Sequence, residues 1–161
     1  WPWNCNRNRG PDIAAHNLPE NTVIVNMLNE VACCISRELN PVRKVGILAT
    51  NGTCTTQVYD YHLKRYLIKS VYPENRIQLE KVHPAIYNKE YVIKSVPGTV
   101  TERAISELRE TALTLIEKGA EAIILGCTEI PLAITGENIH GVPTIDPTEI
   151  LAQALVREVS S

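Results

Sequence analysis

Short apolar runs alternate with amphipathic helical patterns from Pro41 to the end of the chain, and this alternation most constrains the fold. The apolar runs lie at residues 45–50, 121–125 and 141–145, and a weak alternation at 76–81 predicts a further strand. The helical patterns lie at residues 53–69, 99–118 and 146–159. A helix that connects two strands brings the second strand back parallel to the first. Such a series therefore gives a mainly parallel sheet with helices on both faces. The sequence therefore predicts an α/β fold, a parallel-sheet three-layer sandwich.

The first forty residues depart from this rhythm. They are polar at first, and then predict a strand at Thr22–Val25 and a helix near Asn29–Leu39. We therefore expect three parts: an incomplete segment at 1–41, a complete α/β domain at 42–147 and a C-terminal helix at 148–161. The chain opens on Trp1 instead of methionine, so we expect it to come from the middle of a longer protein.

Charge and cysteine content exclude several classes of function. The net charge is −2, with both signs interspersed, so no basic field would attract nucleic acid or hold a membrane surface. No apolar stretch approaches the ~20 residues that span a bilayer. The five cysteines are unevenly spaced, which fits neither a disulfide framework nor a zinc site. We expect a cytoplasmic protein that has no metal and no nucleic-acid or membrane partner.

Cys127 is the most informative single residue. Four apolar residues after Glu121 predict a buried strand, which Gly126 ends where parallel sheets place their chemistry. Thr128 and Glu129 follow directly, so the thiol has a hydroxyl and a carboxylate beside it. Such a thiol is a candidate acid, base or nucleophile. The alternative is a cysteine that simply packs as a small hydrophobic residue.

A second loop, Ala49-Thr-Asn-Gly-Thr-Cys-Thr-Thr56, passes from a strand through glycine into a helix. Its backbone N–H groups and hydroxyls gather at the start of that helix, which favours a carboxylate or a phosphate. The loop lacks the lysine of a P-loop and the GxGxxG spacing, so a small carboxylate fits better than a nucleotide phosphate. Ordinary capping by threonine is the alternative.

Three segments together resemble one family. They are Val45-Gly-Ile-Leu-Ala-Thr-Asn-Gly-Thr53, Ile124-Leu-Gly-Cys-Thr-Glu-Ile-Pro-Leu132 and Val142-Pro-Thr-Ile-Asp-Pro147, and they look like signatures of the second domain of aspartate/glutamate racemases. The resemblance covers 42–161 well and 1–41 loosely. It implies a cofactor-independent enzyme with two similar α/β domains and its active site between them. On this resemblance the chain is one complete second domain with a remnant of the first.

The resemblance also implies roles for particular residues. Cys127 would be the acid/base of the second domain. Substrate contacts would come from Thr50, Gly52, Thr53, Thr128 and Lys94. Lys94 would meet a substrate carboxylate, although a solvated surface lysine is the alternative there.

The opposing thiol would come from the first domain. Relatives carry Cys-Asn-Thr there, and Cys5-Asn6 stands at a comparable distance before the 22–25 segment. Cys5 is therefore expected as the second catalytic thiol and Asn6 as a substrate contact. Arg7 replaces the threonine and Gly10-Pro11 interrupts the expected helix, and the family's glycine-rich first strand-turn is absent, so the chain resembles the last two-thirds of a relative.

The predicted function is racemisation of aspartate or glutamate without pyridoxal phosphate. Inverting a stereocentre requires a base on one face and an acid on the other, and two cysteines on opposite faces of the α-carbon can exchange these roles. Relatives are often dimers, so a homodimer is compatible with the resemblance. Two alternatives stay open: a maleate isomerase, decarboxylase or hydantoin racemase of the same superfamily, and a truncated or degenerate relative that does not catalyse.

Overall fold

The structure is a computed structural model that describes residue 19 and residues 22–39, 41–87 and 100–160. Its strands are β1 (Lys44–Ala49), β2 (Lys69–Val71), β3 (Ala122–Gly126), β4 (Asn138–Ile139) and β5 (Val142–Ile145). Its helices are α1 (Met27–Glu38), α2 (Asn51–Thr56), α3 (Val58–Lys64), α4 (Asn75–Ile77), a π-helical turn (Gln78–Val82), α5 (His83–Tyr87), α6 (Glu102–Glu117), α7 (Ile130–Ala133) and α8 (Pro147–Val159).

The five strands form one sheet in the order β2-β1-β3-β5-β4. The β1 strand pairs in parallel with β2 and β3, and β3 pairs in parallel with β5. The short β4 strand runs antiparallel to β5 at the edge. The predicted mainly parallel α/β sheet is thus confirmed.

Alternate residues of the central strands point to opposite faces, and each face has its own apolar core. On one face Val45, Ile47 and Ala49 of β1 pack with residues of α1, α3 and α8. On the other face Leu48 of β1 and Ile123 of β3 pack with residues of α5, α6 and α7. Helices therefore cover both faces of the sheet, which is the predicted three-layer arrangement.

Helix α1, which lies in the segment 1–41 that the sequence predicts to be incomplete, contributes to this core. Val31, Ala32 and Ile35 of α1 are fully buried and pack in the same cluster as β1. Glu30 of α1 also accepts a 2.8 Å hydrogen bond from Arg157 of α8, which joins the two helices. The division at residues 41 and 147 stays a prediction.

Several local expectations need correction. The predicted strand at 76–81 is wrong: this stretch belongs to a helical run over 75–87, in which the buried residues Gln78, Val82 and Ile86 recur at the four-residue spacing of one helix face. The second strand of the chain is instead Lys69–Val71. The segment at 22–25 forms no strand, and Val23 and Ile24 are exposed.

The helix predicted at 53–69 is also divided. It begins at Asn51 and breaks at Gln57, whose φ of 51° lies in the left-handed region, before α3 continues to Lys64. By contrast, the helices at 102–117 and 147–159 lie where their patterns predicted them. Thr101 caps α6 by accepting from the Ala104 N–H, and Asp146 caps α8 by accepting from the Thr148 N–H.

Candidate active site at the carboxyl edge of the sheet

The two predicted loops meet because their strands end in register. Ala49 of β1 is the direct partner of Gly126 of β3. The next residues, Thr50 and Cys127, therefore leave neighbouring parallel strands at the same edge of the sheet. Parallel α/β sheets carry their ligand sites at this edge.

The close approach of the two strand ends requires the glycine at position 126. A Cβ placed there would lie 2.9 Å from the Cβ of Ala49 and 3.4 Å from Cε2 of Tyr59. Real Cβ contacts are not as short as the first distance, so a larger residue would push the strand ends apart. Gly126 thus lets the ring of Tyr59 lie directly beneath the thiol-bearing loop.

The first wall of the site is the loop between β1 and α2. Thr50 has extended backbone geometry and precedes the helix, and its Oγ1 lies 3.2 Å from Oγ1 of Thr53. By helix geometry the N–H groups of Asn51, Gly52 and Thr53 have no partner within α2. The loop therefore presents two hydroxyls and several N–H donors, which suits a carboxylate.

The second wall is the turn after β3. The Cys127 thiol is half-buried and donates to Oε2 of Glu129 over 2.8 Å. The Thr128 hydroxyl donates to the same oxygen over 2.9 Å. One carboxylate oxygen thus accepts from both groups, so the thiol stands beside a group able to accept its proton.

Two further residues that sequence reasoning did not assign to the site lie behind this wall. Asp146 follows β5, whose Ile145 pairs with Ile124 of β3, so it reaches the same edge as Cys127. Tyr59 is 2% exposed. The pKa of Tyr59 is raised to about 12, first by burial and then by the negative charges of Asp146 and Cys127. A neutral phenol therefore lies near both groups at ordinary pH.

Gln78 was also missed, because its segment was interpreted as a strand. Its side chain is 5% exposed and reaches across to the first wall. The amide Nε2 donates to the Ala49 carbonyl over 3.0 Å and to Asn51 Oδ1 over 2.9 Å. A shallow cleft of ≈ 260 Å³ opens next to it, and is also lined by Cys54, Tyr72 and Leu79.

The structure brings together five of the eight predicted site residues: Thr50, Gly52, Thr53, Cys127 and Thr128. Cys5, Asn6 and Lys94 lie outside the described residues. Within the described part of the chain, no group of three or more histidine, cysteine or acidic side chains is placed to hold a metal. No helix in that part is long and apolar enough to cross a membrane.

A doubly covered parallel sheet with a thiol and a hydroxyl-bearing loop at its carboxyl edge defines a candidate acid–base enzyme. Comparison with known proteins is more specific. Residues 9–155 match the family described as Asp/Glu/hydantoin racemase. The chain therefore belongs to the Asp/Glu/hydantoin racemase family, as its three segments predicted.

Individual relatives agree with this membership. A Pectobacterium carotovorum subsp. carotovorum protein described only by its position in the pnlA 3′ region is 33% identical over 129 residues, 79% of each chain. A candidate Asp/Glu racemase from Yersinia pestis has a TM-score of 0.71 at 26% identity, covering 84% of this chain and 56% of that one. An aspartate racemase homologue from Pyrococcus horikoshii OT3 has a TM-score of 0.69 at 27% identity, covering 88% and 58%.

The Picrophilus torridus aspartate racemase has a TM-score of 0.58 at 27% identity, with 84% of this chain and 52% of that chain covered. The chain thus spans a little over half the length of the solved structures that it matches. Those structures support a racemase-type enzyme, whereas the substrate and the catalytic groups are matters for a proposal.

Proposed function

We propose that this protein racemises an acidic amino acid, aspartate or glutamate, by two-base proton transfer without pyridoxal phosphate. The observation that carries the proposal is the register of Ala49 with Gly126, which sets the Thr50–Thr53 loop beside Cys127. A carboxylate held by that loop would bring its α-carbon toward the thiol. Membership of the racemase family supports the same assignment.

In one direction a Cys127 thiolate removes the α-proton, and an opposing group delivers a proton to the other face. In the reverse direction the two groups exchange roles. Glu129 supports this assignment because it accepts from the Cys127 thiol over 2.8 Å and so can take its proton before the reaction. Thr50, Gly52 and Thr53 stabilise the carbanion character that develops next to the carboxylate, since oriented donors act most strongly where charge develops.

The opposing proton carrier in this proposal is Cys5, with Asn6 and Lys94 as further substrate contacts. These three assignments depend on the family resemblance alone. The proposal also includes a cytoplasmic location and a homodimer, as relatives often form.

The decisive measurement is exchange of the α-proton of aspartate and of glutamate in D₂O, followed by NMR together with chiral analysis. We expect wild-type protein to exchange and racemise one of them. Cys127→Ser and Cys127→Ala should abolish racemisation, together with exchange from the enantiomer whose α-proton Cys127 removes. Cys34→Ser is the matched control, because the Cys34 thiol is half-buried as well but lies on α1. Racemisation retained in both Cys127 variants would reject this role for the thiol.

The same assay separates the alternatives. Aspartate binding without exchange by the wild-type protein would indicate a carboxylate-binding relative that does not turn over. Conversion of maleate, an arylmalonate or a hydantoin in place of aspartate and glutamate would place the protein with other activities of the superfamily. Loss of exchange in Cys5→Ser with retained binding would support Cys5 as the opposing thiol.

A further inference from the structure

Gln78 is one of two buried polar side chains among the described residues, the other being Thr111 of α6. Its amide has two N–H donors and a carbonyl acceptor, and all three positions are used. The two donors serve the Ala49 carbonyl at 3.0 Å and Asn51 Oδ1 at 2.9 Å. The acceptor takes the Cys54 thiol at 3.6 Å.

These three partners have a particular order along the chain. Ala49 ends β1, Asn51 begins α2 and Cys54 comes directly after Thr53. Thr50, Gly52 and Thr53, which the proposed function assigns to the substrate carboxylate, thus lie in the chain between residues that bond to the Gln78 amide. Loss of the Gln78 amide would remove its hydrogen bonds to all three residues and leave the Cys54 thiol with the Ala49 carbonyl at 3.8 Å as its acceptor.

The backbone at Gln78 is itself unusual. Gln78 begins the π-helical turn Gln78–Val82, between α4 and α5. Such turns are rare and concentrate at functional sites. Val82, at the other end of the turn, is fully buried against the core, so the turn is buried at both ends.

We propose that Gln78 is a positioning residue that fixes the Thr50–Thr53 loop in the geometry that receives the carboxylate. It touches no reacting atom and acts through the Ala49 carbonyl and Asn51. Glutamine is required because glutamate of the same size lacks both N–H donors and an aliphatic residue lacks all three groups. The consequence for catalysis rests on the proposed racemase function, whereas the consequence for the loop does not.

The test compares Gln78→Met with Thr111→Val. Both remove a buried hydrogen-bonding group, but the Thr111 hydroxyl donates to Glu107 O within α6 over 2.8 Å and contacts no part of the loop. We expect Gln78→Met alone to raise amide hydrogen exchange at Cys54 and Gln57, whose N–H groups bond to the Thr50 and Thr53 carbonyls, by about tenfold or more relative to amides of β3. In the active enzyme it should raise KM for the carboxylate substrate by a similar factor and change kcat less.

Two variants extend the test. Gln78→Glu keeps the size but offers at most one O–H donor in place of two N–H donors, so it should not fully restore slow exchange. Asn51→Ala removes a half-buried partner and gives the same exchange readout should Gln78→Met fail to fold. Combined with Gln78→Met, it should add less than its separate effect, since both changes break the same contact.

Unchanged exchange at Cys54 and Gln57 in both Gln78→Met and Asn51→Ala would overturn the inference, as would an equal increase in Thr111→Val. These results would hold whether or not the protein is a racemase. Wild-type protein that neither binds nor exchanges aspartate or glutamate would reject the proposed function, while faster exchange in Gln78→Met would still support the positioning role.

Discussion

Oε2 of Glu129 accepts hydrogen bonds from both the Cys127 thiol, over 2.8 Å, and the Thr128 hydroxyl, over 2.9 Å. Three consecutive residues thus bring a carboxylate oxygen into contact with the sulfur. The turn after β3 therefore contains both the proposed acid/base and a carboxylate that accepts a hydrogen bond from it. Without Thr128 and Glu129, the end of β3 would present only the thiol.

Glu129→Gln tests this relationship. The amide keeps the size and one oxygen but cannot take a proton, so we expect kcat to fall by about 100-fold and KM to change by less than about threefold. The pH dependence of kcat should change as well. Glu137→Gln is the control, because Glu137 is an exposed acidic residue of the same part of the chain. Equal kcat values for the two variants would contradict a role for Glu129 in proton transfer.

The hydroxyl pair on the opposite wall gives a prediction about binding. Thr53→Val removes one member of the 3.2 Å Thr50–Thr53 contact and one donor to the carboxylate. We expect KM to rise about tenfold, since a hydrogen bond to a charged group contributes roughly 1.5–3 kcal/mol. Thr53→Ser should remain close to wild type.

Thr55→Val is the matched control on the same helix, because Thr55 is exposed and its loss leaves the loop hydroxyls in place. Steady-state kinetics on the three variants give the comparison. A KM for Thr53→Val equal to that for Thr55→Val would remove Thr53 from the carboxylate site.

Gly126 gives a prediction about stability. In Gly126→Ala the new methyl would lie 2.9 Å from the Ala49 Cβ and 3.4 Å from Tyr59, so the strand ends must move. We expect a loss of about 1–3 kcal/mol in the free energy of unfolding, together with lower activity. Gly52→Ala is the control, since the nearest atom to its new methyl would be Thr50 Oγ1 at 4.0 Å. Urea unfolding measures both, and equal midpoints would contradict the packing argument.

The parts of this site that could be predicted from sequence are those with local signals. Apolar runs before Thr50 and Cys127 fix two strand ends, and parallel strands bring such ends to one edge. The capping residue Asp146, followed by Pro147, likewise marks the start of α8. The positions of these strand ends and of this helix start in the chain are enough to predict this part of the site, because helix and sheet geometry then determine which edge of the sheet each side chain reaches.

The parts that could not be predicted depend on contacts between distant segments. Gln78 and Ala49 are 29 positions apart, and nothing near Gln78 indicates that its amide bonds a strand end. The weak alternation at 76–81 predicted a strand, whereas packing of Val82 and Ile86 against the α6 side of the core favours a helix. A glycine at a strand end, such as Gly126, indicates that another residue comes close to it. The sequence does not show that this residue is Tyr59, because the position of Tyr59 depends on the break in the helix at Gln57.

The buried phenol of Tyr59 gives a prediction about alkaline pH. Its pKa is raised from 10.0 to about 12, first by burial and then by the charges of Asp146 and Cys127. The folded protein therefore holds this proton more tightly than the unfolded chain does. Its contribution to stability is complete below pH 10 and is lost as the pH rises from about 10 to about 12.

Two thiols act in the same direction at lower pH. The pKa of Cys34 and that of Cys54 are each raised from 9.0 to about 11, chiefly by burial. The free energy of unfolding should therefore begin to fall near pH 9. Cys34→Ala should lessen the fall between pH 9 and 11, because it removes one of the two groups.

Tyr59→Phe isolates the phenol, since the ring and its contact with Gly126 remain while the titrating group is lost. Urea midpoints measured from pH 8 to 12 should fall less steeply above pH 10 in Tyr59→Phe than in wild type. Tyr61→Phe is the control, because Tyr61 is 66% exposed. Equal slopes of urea midpoint against pH above pH 10 for Tyr59→Phe and Tyr61→Phe would contradict the burial of a neutral phenol beside Asp146 and Cys127. They would also remove Tyr59 from its assigned place next to the turn after β3.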